Sequence, residues 1–193
     1  MDDSKIPDIP EIHPLISQKS EEIGFSMPSD RYIGSLLKTL VASKPNGRFL
    51  ELGTGIGLSL SWMADGMDSE SRLVSVDNDP ELMALAEAHF GNDKRIELVC
   101  ADGADWLRSY RGEPFDLIFA DAWPGKYGEL EEALALLKAG GFYVIDDMSA
   151  QPNWPEGHQE NVDRLIEILE SREDLTLTKM NWSTGLVLAV KKY

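Results

Sequence analysis

The stretch Glu51-Leu-Gly-Thr-Gly-Ile-Gly57 begins within the last two residues of the apolar run Arg48-Phe-Leu-Glu-Leu52. It precedes a segment of helical character from Leu58 to Met63. Glycine has no Cβ, so the backbone of such a turn can bend sharply and approach a ligand closely. The spacing is GxGxG, whereas the dinucleotide fingerprint GxGxxG/A needs Gly or Ala at position 58, where this chain has Leu58. The GK[ST] ending of a Walker loop is also absent. We therefore predict a strand, a turn and a helix shaped for close approach of a nucleotide-like ligand.

Short apolar runs alternate with helical patterns along the rest of the chain. The alternation predicts βαβ units, a parallel sheet and right-handed crossovers, as in a Rossmann-like doubly wound α/β fold. Gly140-Gly141 is expected to end a helix over 130–137 and to precede a strand. Ser183-Thr-Gly185 predicts a terminal hairpin, which requires at least one antiparallel strand at an edge. The predicted strands are 48–52, 73–76, 96–99, 115–120, 142–145, 175–180 and 186–190, and the other predicted helices start at 79–80 or cover 104–110 and 160–170.

Composition limits the domain organisation and the partners. Residues 1–26 contain three prolines and read as a lead-in segment, and residues 27–193 are expected to form a single domain. The net charge is −16, without a basic cluster, so we expect no nucleic-acid partner. No apolar run approaches the roughly 20 residues that cross a bilayer, so no membrane partner is expected. Cys100 is the only cysteine, which fits a cytoplasmic location. A homodimer is left open.

Acidic residues stand at the ends of four predicted strands, namely Asp77, Asp102, Asp121 and Asp146-Asp147. Ligands of doubly wound sheets bind beyond the carboxyl ends of the strands. Asp77 lies about 20 positions beyond the glycines, where a carboxylate binds ribose hydroxyls in such folds. Asp77 and Asn78 have a second interpretation as a helix-capping turn, although Asp79 is already placed to cap the next helix. The sequence therefore favours an adenosine-type ligand without choosing the chemistry.

These residues, taken in order, resemble the motifs of class I S-adenosylmethionine-dependent methyltransferases over roughly residues 26–193. The resemblance continues through Phe115-Asp-Leu-Ile-Phe-Ala-Asp121 and Leu137-Lys-Ala-Gly-Gly-Phe142. Within that class the chain is most similar to the small O-methyltransferases of the catechol and caffeoyl-CoA type. The similarity is carried by Ser26-Met27-Pro28, by Ser59 and by Asp121-Ala-Trp-Pro-Gly-Lys-Tyr127.

The resemblance implies a mostly parallel sheet of seven strands with a reversed final strand. It implies transfer of a methyl group from S-adenosylmethionine to the oxygen of a small-molecule acceptor, with Asp121 as the catalytic residue. Trp123 is expected near the adenine or above the acceptor, with burial in the core as the alternative. The cofactor-binding residues implied in this way are Glu51, Gly53, Thr54, Gly55, Gly57, Ser59, Asp77, Asn78, Asp102, Gly103, Asp121 and Trp123.

The related metal-dependent group implies Mg²⁺ or another divalent cation, held at positions that match Asp121, Asp146 and Asp147. Three converging carboxylates repel each other in the absence of a cation, which supports this hypothesis. Two departures weaken it. Asp147 stands where the group usually has Asn, and Pro124 stands where it has a catalytic lysine, with Lys126 two positions later. In the competing interpretation Asp121 lies near the methionine part of the cofactor and the other two aspartates only line the pocket.

Other functions and residues remain open at this stage. An NAD(P)-dependent oxidoreductase and a cofactor-binding protein without transferase activity are the two alternative functions. His158 is interpreted either as a general base or as a solvated residue at the start of a helix. Four apolar residues are expected either to shape the acceptor pocket or to serve packing, namely Met148, Pro152, Trp154 and Trp182.

Overall fold

A computed structural model describes residues 2–151 and 154–193. Its seven strands form one sheet, in the order β3-β2-β1-β4-β5-β7-β6. The strands are β1 (Arg48–Leu52), β2 (Arg72–Asp77), β3 (Ile96–Cys100), β4 (Phe115–Ala120), β5 (Leu137–Ile145), β6 (Leu175–Met180) and β7 (Leu186–Lys191). The predicted strands are confirmed, with β5 longer than expected.

The sheet is parallel except for one strand. β1 pairs in parallel with β2 and β4, β2 with β3, and β4 with β5. β7 runs antiparallel to β5 on one side and to β6 on the other. The Rossmann-like α/β fold with a C-terminal hairpin is therefore confirmed. The hairpin lies at one edge of the sheet, where the edge strand β6 pairs antiparallel with β7 and β7 lies between β5 and β6.

Seven helices connect the described strands and precede the first of them. They are α1 (His13–Ile23), α2 (Arg31–Ala42), α3 (Leu58–Gly66), α4 (Pro80–Phe90), α5 (Gly103–Ser109), α6 (Leu130–Ala135) and α7 (His158–Ser171). None of these described helices has the length and apolar character that crossing a membrane requires. Asp79 caps α4 as predicted, since its Oδ1 accepts from the N–H groups of Glu81 at 2.9 Å and Leu82 at 3.1 Å.

The glycine pair 140–141 does not separate α6 from β5. It lies inside β5, where the register with β4 shifts from Phe115↔Leu137 to Leu117↔Phe142. The extra residues of β5 form a bulge. Gly140 has a φ of +74° there, a left-handed conformation that is strained for a residue with a Cβ. The prediction of a helix up to 137 was therefore wrong, because the glycines serve a bulge rather than a helix stop.

The central strands are buried on both faces of the sheet, as parallel strands covered by helices are. Ile16 of α1 is fully buried in the same apolar cluster as Ile33, Leu37 and Phe49. The lead-in segment thus contributes a residue to the core. The boundary at residue 26 stays a prediction.

Candidate functional site

The glycine turn between β1 and α3 has three left-handed backbone conformations. The φ angles are +101° at Gly53, +51° at Gly55 and +95° at Gly57. A Cβ at Gly53 would lie 2.9 Å from the main-chain oxygen of Asp121, and one at Gly57 would lie 2.7 Å from the Phe90 ring. Any other residue would be strained at these φ angles and would also collide with its neighbour. The GxGxG pattern is therefore a geometric requirement of the turn.

A buried carboxyl group supports the turn from inside the core. Glu51 on β1 is fully buried, and its carboxylate accepts from the hydroxyls of Ser59 at 2.6 Å and Ser75 at 2.5 Å. Thr54 Oγ1 shares a hydrogen bond of 2.6 Å with Ser75 Oγ. Burial raises the pKa of Glu51 to about 7, although the two hydroxyl donors lower it. Glu51 therefore links β1, β2 and α3 through hydrogen bonds.

Asp77 ends β2 beside the glycine turn. Its Oδ2 accepts from the main-chain N–H of Gly55 at 2.8 Å, and its Oδ1 accepts from that of Asp79 at 3.0 Å. The capping of α4 belongs to Asp79, so Asp77 is not the cap of that helix. Its carboxylate instead fixes the glycine turn at the carboxyl end of β2.

A cavity of about 230 Å³, here called the glycine-turn cavity, lies at this point. The predicted cofactor residues that line it are Gly53, Thr54, Gly55, Ser59, Asp77, Asn78 and Asp121. Glu51 and Gly57 are not among its lining residues, and Trp123 lines the neighbouring cavity. Asp102 caps α5 by accepting from the N–H of Asp105 at 3.0 Å, and Gly103 begins that helix. The cofactor-binding role of Asp102 and Gly103 stays a prediction.

A second cavity of about 390 Å³, here called the aromatic cavity, opens beside the first. Trp123, Tyr127, Trp154 and His158 form one side of it. The Trp154 and His158 rings are 4.5 Å apart between centroids, and Tyr127 Oη lies 3.1 Å from His158 Nε2. Trp123 is 58% exposed, so the alternative of a core tryptophan was wrong. Burial raises the pKa of Tyr127 to about 12 and lowers that of His158.

The other residues expected around an acceptor divide between the cavity and the core. His158 begins α7 and lines the aromatic cavity, as Trp154 does. Met148 is buried in the core, and the Trp182 ring packs on Tyr32 at a centroid distance of 5.0 Å. Pro152 lies outside the described residues. His158 is half-buried and lies at the start of a helix, as its second interpretation expected, and its ring also contacts three aromatic side chains, so both interpretations stay open.

The two cavities share part of their walls. The four residues that line both are Met27, Ser29, Asp121 and Asp147. Ser29 Oγ donates to Asp121 Oδ2 at 3.3 Å and so connects the segment before α2 to the end of β4. Burial, followed by the negative charge of Asp146, holds the pKa of Asp121 well above its usual range. A carboxyl group that holds its proton more firmly than usual thus lies at the junction of the two cavities.

The three predicted metal ligands are close together, but they are not arranged around one ion. Asp146 Oδ1 accepts from Thr184 Oγ1 at 2.5 Å and from the Asp147 N–H at 2.7 Å. Among the described residues no group of three or more His, Cys, Asp and Glu side chains is placed to hold a metal ion. The described residues therefore show no preformed site for a divalent cation, and the set Asp121, Asp146 and Asp147 stays a prediction.

A positive charge already lies beside these carboxylates. Lys126 is only 5% exposed, lines the aromatic cavity and donates from Nζ to the main-chain oxygen of Asp146 at 2.6 Å. Burial lowers the pKa of Lys126, while Asp121, Asp147 and Asp146 act to raise it. Burial also raises the pKa of Asp146 to about 6. A lysine of the chain itself thus offsets part of the negative charge of Asp121, Asp146 and Asp147.

Sequence reasoning undervalued two residues of this site. Lys126 lies two positions after Pro124, which occupies the place of the catalytic lysine in the metal-dependent group. The turn nevertheless brings the Lys126 ammonium to the end of β5. Ser29 is 92 positions from Asp121, and no local pattern links the two. The only sequence signal near Ser29 was Ser26-Met27-Pro28 ahead of a helix.

Comparison with known proteins agrees with this geometry. A family model described as a methyltransferase domain matches residues 50–148, which are 99 of the 193 residues. A protein of Mycobacterium avium (strain 104), named as a candidate O-methyltransferase, is 30% identical over 169 residues, which cover 82% of this chain and 76% of that protein. A relative of the same name from Mycobacterium leprae (strain TN) is 28% identical over 185 residues, which cover 91% of this chain and 82% of the relative.

Solved structures agree as well. The O-methyltransferase TomG of Streptomyces achromogenes, involved in tomaymycin synthesis and solved with S-adenosylmethionine, has a TM-score of 0.84 and 26% identity. The match covers 98% of this chain and 93% of that one. The O-methyltransferase of Bacillus cereus, solved with S-adenosylhomocysteine, has a TM-score of 0.83 at 21% identity, covering 98% and 94% of the two chains, and supports the fold. The chain belongs to the methyltransferase-domain family, as a class I S-adenosylmethionine-dependent O-methyltransferase.

Proposed function

We propose that the protein methylates a hydroxyl group of a small, planar acceptor that binds in the aromatic cavity while S-adenosylmethionine binds in the glycine-turn cavity. The observation that carries this proposal is the wall that the two cavities share at Asp121 and Asp147. Donor and acceptor bound on its two sides would meet there, which converts a bimolecular reaction into a reaction between held partners.

The cofactor residues are proposed from the lining of the glycine-turn cavity. The glycine turn lets the ligand approach the backbone, and Ser59 lies at its wall. Asp77 is proposed to accept from the ribose hydroxyls, since a carboxylate that already holds Gly55 keeps further lone pairs. Asn78 lines the same cavity beside it.

Asp121 is the proposed catalytic base. When bound, S-adenosylmethionine supplies an electrophilic methyl group on a sulfonium sulfur. The acceptor oxygen bonds to the methyl carbon, the carbon–sulfur bond breaks with its electron pair left on sulfur, and the hydroxyl proton passes to the Asp121 carboxylate. A carboxylate whose pKa is held above its usual range takes this proton more readily than an ordinary one.

The charges of the aromatic cavity restrict the acceptor. Asp30, Asp121, Asp146 and Asp147 line it, and Lys126 is the only lysine or arginine among its described lining residues. An acyl-CoA thioester carries several phosphate charges, which such a wall repels. Trp123, Tyr127 and Trp154 instead offer ring faces and edges against which an aromatic acceptor stacks. We therefore expect neutral or cationic phenols to be preferred to acyl-CoA thioesters.

A radiolabelled methyl-transfer screen over phenols, acyl-CoA thioesters and small amines tests this function. Label should appear in at least one phenol and not in the thioesters. Asp121→Asn should lower kcat by about 10²–10⁴-fold, as loss of a general base does. The exposed Asp163 on α7 supplies the matched control, Asp163→Asn, which should leave kcat unchanged.

Calorimetric titration with S-adenosylhomocysteine and with NAD separates the alternatives. Binding of S-adenosylhomocysteine without label transfer to any acceptor would favour a cofactor-binding protein that lacks transferase activity. Binding of NAD alone would overturn the proposal in favour of an oxidoreductase. Label transfer that is undiminished in Asp121→Asn would remove Asp121 from the role of base.

A further inference from the structure

Lys126 is fixed by the turn that follows β4. The main-chain oxygen of Trp123 accepts from the N–H groups of Lys126 at 3.1 Å and Tyr127 at 2.9 Å. Gly125 has a φ of +85°, and the buried hydroxyl of Tyr143 donates to its carbonyl oxygen. The turn is thereby tied to the core, so the Lys126 side chain starts from a backbone position with little freedom.

The ammonium group lies where a positive charge needs compensation. Lys126 is 95% buried, and its one hydrogen bond in the described part of the chain goes to the main-chain oxygen of Asp146. A buried ammonium is destabilising unless opposite charges lie near it. Asp121, Asp146 and Asp147 are those charges, and each of them acts to raise the pKa of Lys126. The lysine and the three aspartates therefore form one electrostatic unit, here called the acidic cluster.

Two carboxylate oxygens of the acidic cluster accept hydrogen bonds within the protein. Asp146 Oδ1 accepts two hydrogen bonds, and Asp121 Oδ2 accepts one from Ser29. A hard divalent cation needs several oxygens that converge on one point. It would also add two positive charges to a cluster that already contains the Lys126 ammonium, and like charges repel.

We propose that Lys126 is the resident cation of the acidic cluster and that its charge keeps divalent cations out. The role of Lys126 in methyl transfer rests on the proposed function. In that reaction Lys126 is a positioning residue: its positive charge offsets the negative charges of Asp146 and Asp147, so that the Asp121 carboxylate faces the acceptor oxygen. Removal of the lysine charge should turn the same three carboxylates into a weak site for a divalent cation.

Electron paramagnetic resonance of Mn²⁺ tests this proposal, because bound Mn²⁺ loses the sharp signal of the free ion. The full chain is treated with EDTA, dialysed and titrated with MnCl₂ as wild type, Lys126→Met and Lys126→Arg. Lys126→Met should bind one Mn²⁺ per chain at least about tenfold more tightly than wild type, because one repelling charge is gone. Lys126→Arg keeps the charge and should behave as wild type. Adding Asp146→Asn to Lys126→Met should abolish the gained binding.

Two results would overturn the proposal. One is a wild-type chain that binds one Mn²⁺ and loses it on Asp146→Asn. The other is a Lys126→Met chain that retains the wild-type circular dichroism spectrum and yet leaves all Mn²⁺ free. If Lys126→Met does not fold, Lys126→Gln takes its place in the titration, with the same expected and overturning results. None of these measurements needs an acceptor or turnover, so failure of methyl transfer would count against the proposed function alone.

Discussion

Replacement of Glu51 by Gln should remove the pH dependence that this buried carboxyl group imposes on folding. Its pKa is about 7 in the folded protein and 4.5 in the reference state of an exposed glutamate. The folded state therefore holds the proton more firmly than the unfolded state between these values. A raised carboxyl pKa contributes stability that is fully present below about pH 4.5 and is lost as pH rises through about 7.

The magnitude follows from the shift. Each pKa unit corresponds to about 1.4 kcal/mol, so the free energy of unfolding should fall by about 3 kcal/mol between pH 5 and pH 8 because of this one group. Gln is neutral at every pH and removes that loss. It also replaces one acceptor oxygen that serves Ser59 or Ser75, at a cost of about 1 kcal/mol. Glu51→Gln should thus be less stable than wild type at pH 5 and more stable by about 2 kcal/mol at pH 8.

Urea denaturation of both proteins at pH 5, 6, 7 and 8 measures this difference, since effects of other groups cancel between them. Glu97→Gln, at an exposed position of β3, is the matched control and should differ from wild type by less than about 0.5 kcal/mol. A difference between Glu51→Gln and wild type that stays constant from pH 5 to pH 8 would refute the reasoning. It would mean that Glu51 titrates alike in the folded and unfolded states.

Three further predictions concern the two cavities. Asp77→Ala should weaken binding of S-adenosylhomocysteine by about 10–100-fold in calorimetry, since each hydrogen bond to a charged group contributes about 1.5–3 kcal/mol; unchanged affinity would contradict the ribose role. Gly53→Ala should cost about 1–3 kcal/mol and lower Tm by several degrees, whereas Gly24→Ala, which is also at positive φ but in open space, should cost less. Trp123→Ala should raise KM for a phenol by about 3–10-fold and leave Tm unchanged, because the ring is exposed; a fall in Tm would indicate a packing role instead.

The features that sequence predicted are those encoded by short-range rules. The glycine turn, the acid at the end of β2 and the Asp79-Pro80 helix start each depend on a few adjacent residues with a fixed stereochemical preference. Gly140-Gly141 shows the limit of these rules. A glycine pair ends a helix or forms a bulge with equal ease, and the choice depends on the strand that pairs with it, which is distant in the chain.

The junction of the two cavities was beyond such rules for a related reason. Ser29 reaches Asp121 across 92 positions, and Lys126 reaches the end of β5 because Gly125 turns the chain at positive φ. Counting positions from Asp121 assumes a regular path between the residues, and a left-handed glycine breaks that assumption. Side-chain chemistry could be listed from the sequence, but the distances between the groups depended on this one turn.

The departures of this site from the metal-dependent pattern are connected through charge. Asp in place of Asn at position 147 adds a negative charge, and Lys126 supplies one positive charge where a divalent cation would supply two. The acidic cluster is therefore more negative than the pattern with a metal. Burial, followed by the negative charges of Asp146 and Asp147, holds the pKa of Asp121 well above its usual range. A bound metal would lower the pKa of the acceptor hydroxyl and of its carboxylate ligands alike. In the proposal made here, Lys126 is the cation, and a carboxylate with a raised pKa removes the proton itself.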